Sequence, residues 1–107
     1  MNIIGTFTKN GETYSGTIHT LPFSGAATLE PVKDKPTDRN FPDFQVFTTP
    51  TRKHGRVQIG RAYKERSEAG NEYLAVRLDE PSFPAPIFCR LIQLEGEESH
   101  SLIWSRS

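Results

Sequence analysis

Apolar positions in this chain fall in short alternating runs, and glycine or proline interrupts them at close intervals. Ile3 to Lys9 alternates and is rich in Ile, Phe and Thr, the composition of a half-buried strand. Asn10-Gly11 follows as a hairpin signal, because both central residues of a type I′ turn need positive φ. Glu12 to Thr20 is predicted to return as a second strand and Ala26 to Val32 to form a third. Phe44–Thr48, Arg56–Glu65, Glu72–Asp79, Ile87–Leu94 and Ser101–Ser105 complete the set. Lys33–Pro42 and Thr49–Gly55 are polar and read as loops. Pro81, Pro84 and Pro86 bar ladder pairing in the segment they occupy. A short helix has room only within Pro50–Gly55 or Pro81–Ile87, and no apolar stripe at helical spacing lasts three turns. The pattern predicts an all-β fold: a small antiparallel β-barrel or compact sandwich of seven or eight short strands, with residues 1–107 as a single β domain.

The segment from Ile59 to Pro86 is the most informative. Ser67-Glu68-Ala69-Gly70 reads as a four-residue loop, with Gly70 supplying the positive φ that closes it. That loop sets Tyr63 opposite Leu74, Arg61 opposite Val76 and Ile59 opposite Leu78. Side chains alternate across a strand, so Val57, Ile59, Tyr63, Leu74, Val76 and Leu78 then share the core face. Arg61 is the odd member, placed at a rim beside a carboxylate. The opposite face carries Tyr73, Lys64 and Arg77 on a floor of Gly60, Ala62 and Ala75. One reading of that face is a solvated surface with an amphipathic tyrosine. The other is a stacking platform for single-stranded nucleic acid, with Arg52, Lys53 and Arg56 contacting phosphates. A slip of one residue would dissolve the platform, because every side chain would change face.

Composition narrows the partner classes. Thirteen basic residues balance thirteen acidic ones, so a polyanion would have to be held by a local patch. Hydrophobic residues are 35% of the chain, and the core must draw on the seven Phe, three Tyr and one Trp. The single Cys89 cannot form an intramolecular disulfide, and its Phe-Cys-Arg-Leu-Ile setting fits a buried small hydrophobe. No apolar run has membrane-spanning length, and the first residues lack the pattern of a signal peptide, so a cytoplasmic location is expected.

The same residues carry a family resemblance. IGTFTKNGETYSGTIHTL, PDFQVF, IGRAYKERSEAGNEYLAVRLDEPSFPAPIF and SLIWSR resemble the bacterial proteins grouped as domain-of-unknown-function family 736, from Ile4 to Arg106. The resemblance implies an accessory protein, often encoded on plasmids and other transferable elements, and assigns no catalytic residue. Tyr63 stands where many members carry Trp, and Pro50–Gly55 is longer and more basic than the family's turn.

Catalytic chemistry has little support. His19, His54 and His100 are scattered, with no metal-ligand spacing, and read as surface or strand-end residues. Asp79-Glu80 reads as a solvated strand end, and Glu95, Glu97 and Glu98 as a charged hairpin tip. No phosphate loop or nucleophile elbow is present. A non-enzymatic protein without cofactor or metal is therefore expected. Two functional classes remain: a single-stranded nucleic-acid binder using the Tyr73 face, and a protein-interaction module, homodimeric or with another partner, using Phe83, Trp104 and an exposed strand edge. In the interaction reading Phe83 is a presented anchor; in the structural reading it plugs one end of a barrel.

Overall fold

The computed structural model describes residues 2–21, 23–33 and 41–104. Eight strands follow in chain order: β1 (Asn2–Asn10), β2 (Thr13–His19), β3 (Ser24–Pro31), β4 (Phe44–Thr48), β5 (Gln58–Arg66), β6 (Glu72–Leu78), β7 (Ile87–Gln93) and β8 (His100–Trp104). Each pairs antiparallel with the next, and β1 pairs with β8, so the sheet closes into a barrel without edges. No helix occurs among the described residues; Pro50–Gly55 and the segment from Pro81 to Pro86 are turns and irregular backbone. None therefore has the length and apolarity to cross a membrane.

An eight-stranded barrel is just wide enough for its own side chains to fill. Phe7, Ile18, Leu29, Val46, Leu78, Leu91 and Leu102 fill this one, each almost wholly removed from water. Close approach of β1 and β2 depends on Gly16. A Cβ there would strike the Thr6 carbonyl oxygen and come within 2.7 Å of the Phe7 Cα. The missing side chain leaves the space that Phe7 occupies.

The two ends of the barrel differ. At one end the turn between β6 and β7 folds Phe83 inward until only 7% of it is exposed. The Phe83 amide donates to the Glu80 carbonyl at 2.9 Å, and the Ser82 amide to Glu80 Oε1 at 2.9 Å. Phe83 is thus a plug, and the reading of it as a presented interface anchor is corrected. Ordering this segment costs less than usual, because proline restricts it already in the unfolded chain. Among the described residues the other end is open, ringed by the β1–β2, β5–β6 and β7–β8 turns and by Val32 and Asp43, which flank the β3–β4 connection.

Three local features depart from the sequence reading. The first turn is centred on Gly11 and Glu12, since Asn10 already pairs with Thr13; Gly11 has φ +66°. The β5–β6 loop has five residues, Ser67 to Asn71, and Arg66 pairs with Glu72 rather than Asn71. The Ser67 hydroxyl accepts the Asn71 amide at 3.1 Å, which adds the fifth residue, while Gly70 takes the expected positive φ of 86°. Finally, β5 bulges against β4: Val46 pairs with Gly60 and Phe47 with Gln58, leaving Ile59 as the extra residue.

Cys89 lies in the core at 5% exposure, and burial pushes its pKa up to about 12. Thiolate is the reactive form, so Cys89 is expected to resist iodoacetamide in the folded protein and to be modified once urea unfolds it. Native-state labelling at the rate of an exposed thiol would contradict this placement.

Candidate nucleic-acid interface

The bulge and the five-residue loop together decide which side chains face outward. Along β6 the predicted alternation holds: Leu74, Val76 and Leu78 are buried, and Tyr73, Ala75 and Arg77 face out. Along β5 it does not. Ile59 is buried as expected, but the bulge lets Gly60 also face in, and the alternation restarts one residue out of step. Ala62 is then wholly buried, while Arg61 and Tyr63 point outward. Val57, assigned to the core, is 50% exposed.

Lys64 changes sides for the same reason. It pairs with the inward Leu74 and faces into the open end of the barrel, whose depression also reaches Tyr73, while Arg77 lies toward the other end. The expected trio of Tyr73, Lys64 and Arg77 is therefore not one surface. Tyr73 and Arg77 keep their face, with Ala75 between them, and Arg61 and Tyr63 join them from β5.

Strand β7 completes the face. Cys89 and Leu91 point inward, so Phe88 and Arg90 point out, with Arg77 opposite Phe88 and Ala75 opposite Arg90. Phe88 is 62% exposed, unusual for so large an apolar ring. Two rows run across β5, β6 and β7, Arg61–Arg77–Phe88 and Tyr63–Ala75–Arg90, and Glu65 pairs with Tyr73 beyond them. Rings and guanidinium groups are interleaved. Arg90 lies 5.2 Å from the Tyr73 ring centroid and Arg77 5.9 Å from that of Phe88.

The Arg61–Arg77 pairing is costly as a structural choice, because like charges directly opposite each other repel. Among the described residues the ion pair that offsets it is a long 4.0 Å contact from Arg77 to Asp79. Arg77 Nε is moreover buried without a hydrogen-bond partner among the described residues. A shallow depression of about 300 Å³ lies over the pair, lined also by Gln58, Gly60 and Asp79. Gly60 lets the strands approach here, since a Cβ would strike the Arg77 carbonyl oxygen.

The other predicted phosphate contacts divide. Arg52 and Lys53 are exposed in the loop between β4 and β5, at the same end of the barrel as Arg61 and Arg77. A turn in which the Thr51 amide donates to the His54 carbonyl at 2.8 Å shapes that loop. Arg56 is already committed: it pairs with Glu30 at 2.8 Å and stacks 3.7 Å from the Phe47 ring centroid. Trp104 is half-buried and packs against the core.

Phe88 and Arg90 were not singled out in the sequence as site residues, and Tyr63 was assigned to the core face. Phe88 and Arg90 alternate with the apolar Cys89 and Leu91, a legible outward signal once β7 is known to be a strand. Tyr63 was hidden by the bulge. Among the described residues no three His, Cys, Asp or Glu side chains gather as metal ligands.

Fold and face together define a small, closed, eight-stranded β-barrel with an aromatic–arginine outer surface. The family match carries no function with it: the chain belongs to DUF736, described as a protein of unknown function, whose profile matches residues 3–107. No curated protein and no solved structure matches the chain.

Proposed function

We propose that this protein is a non-enzymatic binder of single-stranded nucleic acid, and that the outer face of β5, β6 and β7 holds the strand. The observation that carries this reading is the interleaving of Tyr63, Tyr73 and Phe88 with Arg61, Arg77 and Arg90 on one face. Unpaired bases stack on aromatic rings and on guanidinium planes, each stacked base contributing about 1–3 kcal/mol. The Arg61–Arg77 pair supplies a place for a phosphate, whose negative charge relieves their repulsion. Arg52 and Lys53 extend the cationic track at that end. Prior stacking of Arg90 on Tyr73 and Arg77 on Phe88 limits the side-chain freedom lost on binding. A setting in mobile-element biology and in the cytoplasm belongs to the same proposal.

Fluorescence anisotropy with a labelled oligothymidylate, titrated at low and at moderate salt, tests it. Three phosphate contacts to Arg61, Arg77 and Arg90 predict a log–log salt slope of about −2. Absence of binding at low salt would end the nucleic-acid reading.

A second reading rests on the exposure of Phe88 at 62% and of Ile3 at 50%. In it the same side of the barrel meets another copy of the chain or a different protein. Sedimentation across a concentration series would then show a dimer, and Phe88→Ala would abolish it.

A further inference from the structure

The open end of the barrel is a second surface with chemistry of its own. Tyr14 stands at its centre, 8% exposed, with two rings set edge-on against it. Phe44 lies at 5.7 Å and 70°, and His100 at 5.2 Å and 80°, between ring centroids. Around these rings the walls rise on opposite sides. Lys9, on β1, brings Nζ to 5.8 Å from the Tyr14 centroid. Lys64 stands on β5, halfway round the eight strands, with its stem on the inward face beside Leu74. The depression above measures about 1380 Å³ and reaches over the rim to Tyr73 and Arg90.

Two details mark this end as more than a solvated rim. His100 Nδ1 is buried and has no hydrogen-bond partner among the described residues, which costs free energy in a part of the molecule that otherwise packs well. Burial, and then the charge of Lys9, lower the His100 pKa below its ordinary 6.5, so the imidazole is neutral at pH 7 and can donate or accept one bond. Five carboxylates also line the depression among the described residues: Glu72 pairs with Arg66 at 2.9 Å and Asp43 accepts the Lys64 amide at 2.8 Å, while Glu12, Glu65 and Glu95 line it as well. Neither lysine ammonium meets a carboxylate within ion-pair distance among the described residues.

We infer that the open end of the barrel binds a planar ring carrying a negative charge. The ring enters the depression and meets the exposed edges of Tyr14 and Phe44, a ring substituent satisfies His100 Nδ1, and Lys9 and Lys64 hold the anionic group from opposite walls. A nucleoside monophosphate and an aromatic carboxylate share this chemistry. The site does not depend on the outer face, although Tyr73 and Arg90 stand on the ridge between the two.

The test is a titration of the full chain, isotope-labelled, with uridine monophosphate in one arm and 4-hydroxybenzoate in the other, followed by amide and imidazole NMR signals. Saturable shifts at Lys9, Tyr14, Phe44 and His100, with a Kd below about 1 mM for at least one probe, are expected. The arm that saturates assigns the source of the ring. Lys9→Met and Lys64→Met should each weaken binding by about ten-fold, and His100→Phe, which keeps a ring but removes Nδ1, by a similar factor. The wild-type titration decides the matter even for a variant that fails to fold. Absence of saturable shifts from both probes at about 10 mM would overturn the site. So would full affinity in the folded lysine variants. Shifts confined to Tyr63, Tyr73 and Phe88 would overturn it too, while leaving the outer face intact.

Discussion

Tyr73→Ala combined with Phe88→Ala is expected to weaken binding of a single-stranded oligonucleotide by at least about 30-fold, the lower bound for losing two base stacks. Both side chains stand outside the packed interior, so the double variant should keep the barrel, checked by far-ultraviolet circular dichroism and the urea midpoint. The effect should exceed the sum of the single changes if one stretch of strand spans both rings. Arg61→Ala should act differently. It removes a phosphate contact, lowers affinity alike for all sequences, and reduces the salt slope by about 0.7. Anisotropy titrations at several salt concentrations separate the two effects. An unchanged Kd in the folded double variant would remove the face as a binding surface. Lys64→Ala provides the internal comparison: Lys64 lies at the open end and not on this face, so oligonucleotide affinity should hold.

Phe7→Ala carries the largest expected effect on stability. Phe7 is wholly buried, and β1 and β2 already approach closely beside it, where Gly16 leaves no room for a side chain. Truncating such a ring costs about 3–5 kcal/mol. A small domain has only about 5–15 kcal/mol in total, so the variant should unfold at much lower urea and lose at least about 12 °C in Tm. Phe88→Ala is the natural contrast. Its ring is mostly in water, and the change should stay within about 0.5 kcal/mol. A Phe7 variant as stable as the Phe88 variant would mean that the barrel interior is not packed as described.

Most of the fold was legible along the chain. All eight strands were placed within two residues of their ends, because each alternates in polarity and is bounded by turn residues. Alternation in β6 and β7 follows the simple rule, and Cys89 is buried as its apolar setting implied. The candidate site was legible only in half. Tyr73 and Arg77 were placed on the right face, because β6 has no irregularity. Arg61 and Tyr63 were assigned to the core and Lys64 to the surface, because the alternation was carried forward from Ile59. Ile59 is buried, but as the bulged residue, and the parity beyond it reverses.

Local sequence therefore determined the number, order and approximate limits of the strands, since polarity period and turn chemistry act over a few neighbouring residues. Closure of the barrel, the bulge at Ile59 and the fifth residue of the β5–β6 loop were decided only by pairing between strands. Two of these depend on contacts distant in sequence, β8 returning to β1 and Val46 reaching Gly60; the third rests on a local bond, the Ser67 hydroxyl taking the Asn71 amide within the loop. Because side chains alternate with a period of two, each one-residue adjustment moves a whole set of them through the sheet. That is why the tertiary structure, and not the order of residues alone, set Tyr63 beside Tyr73 and sent Lys64 to the open end of the barrel.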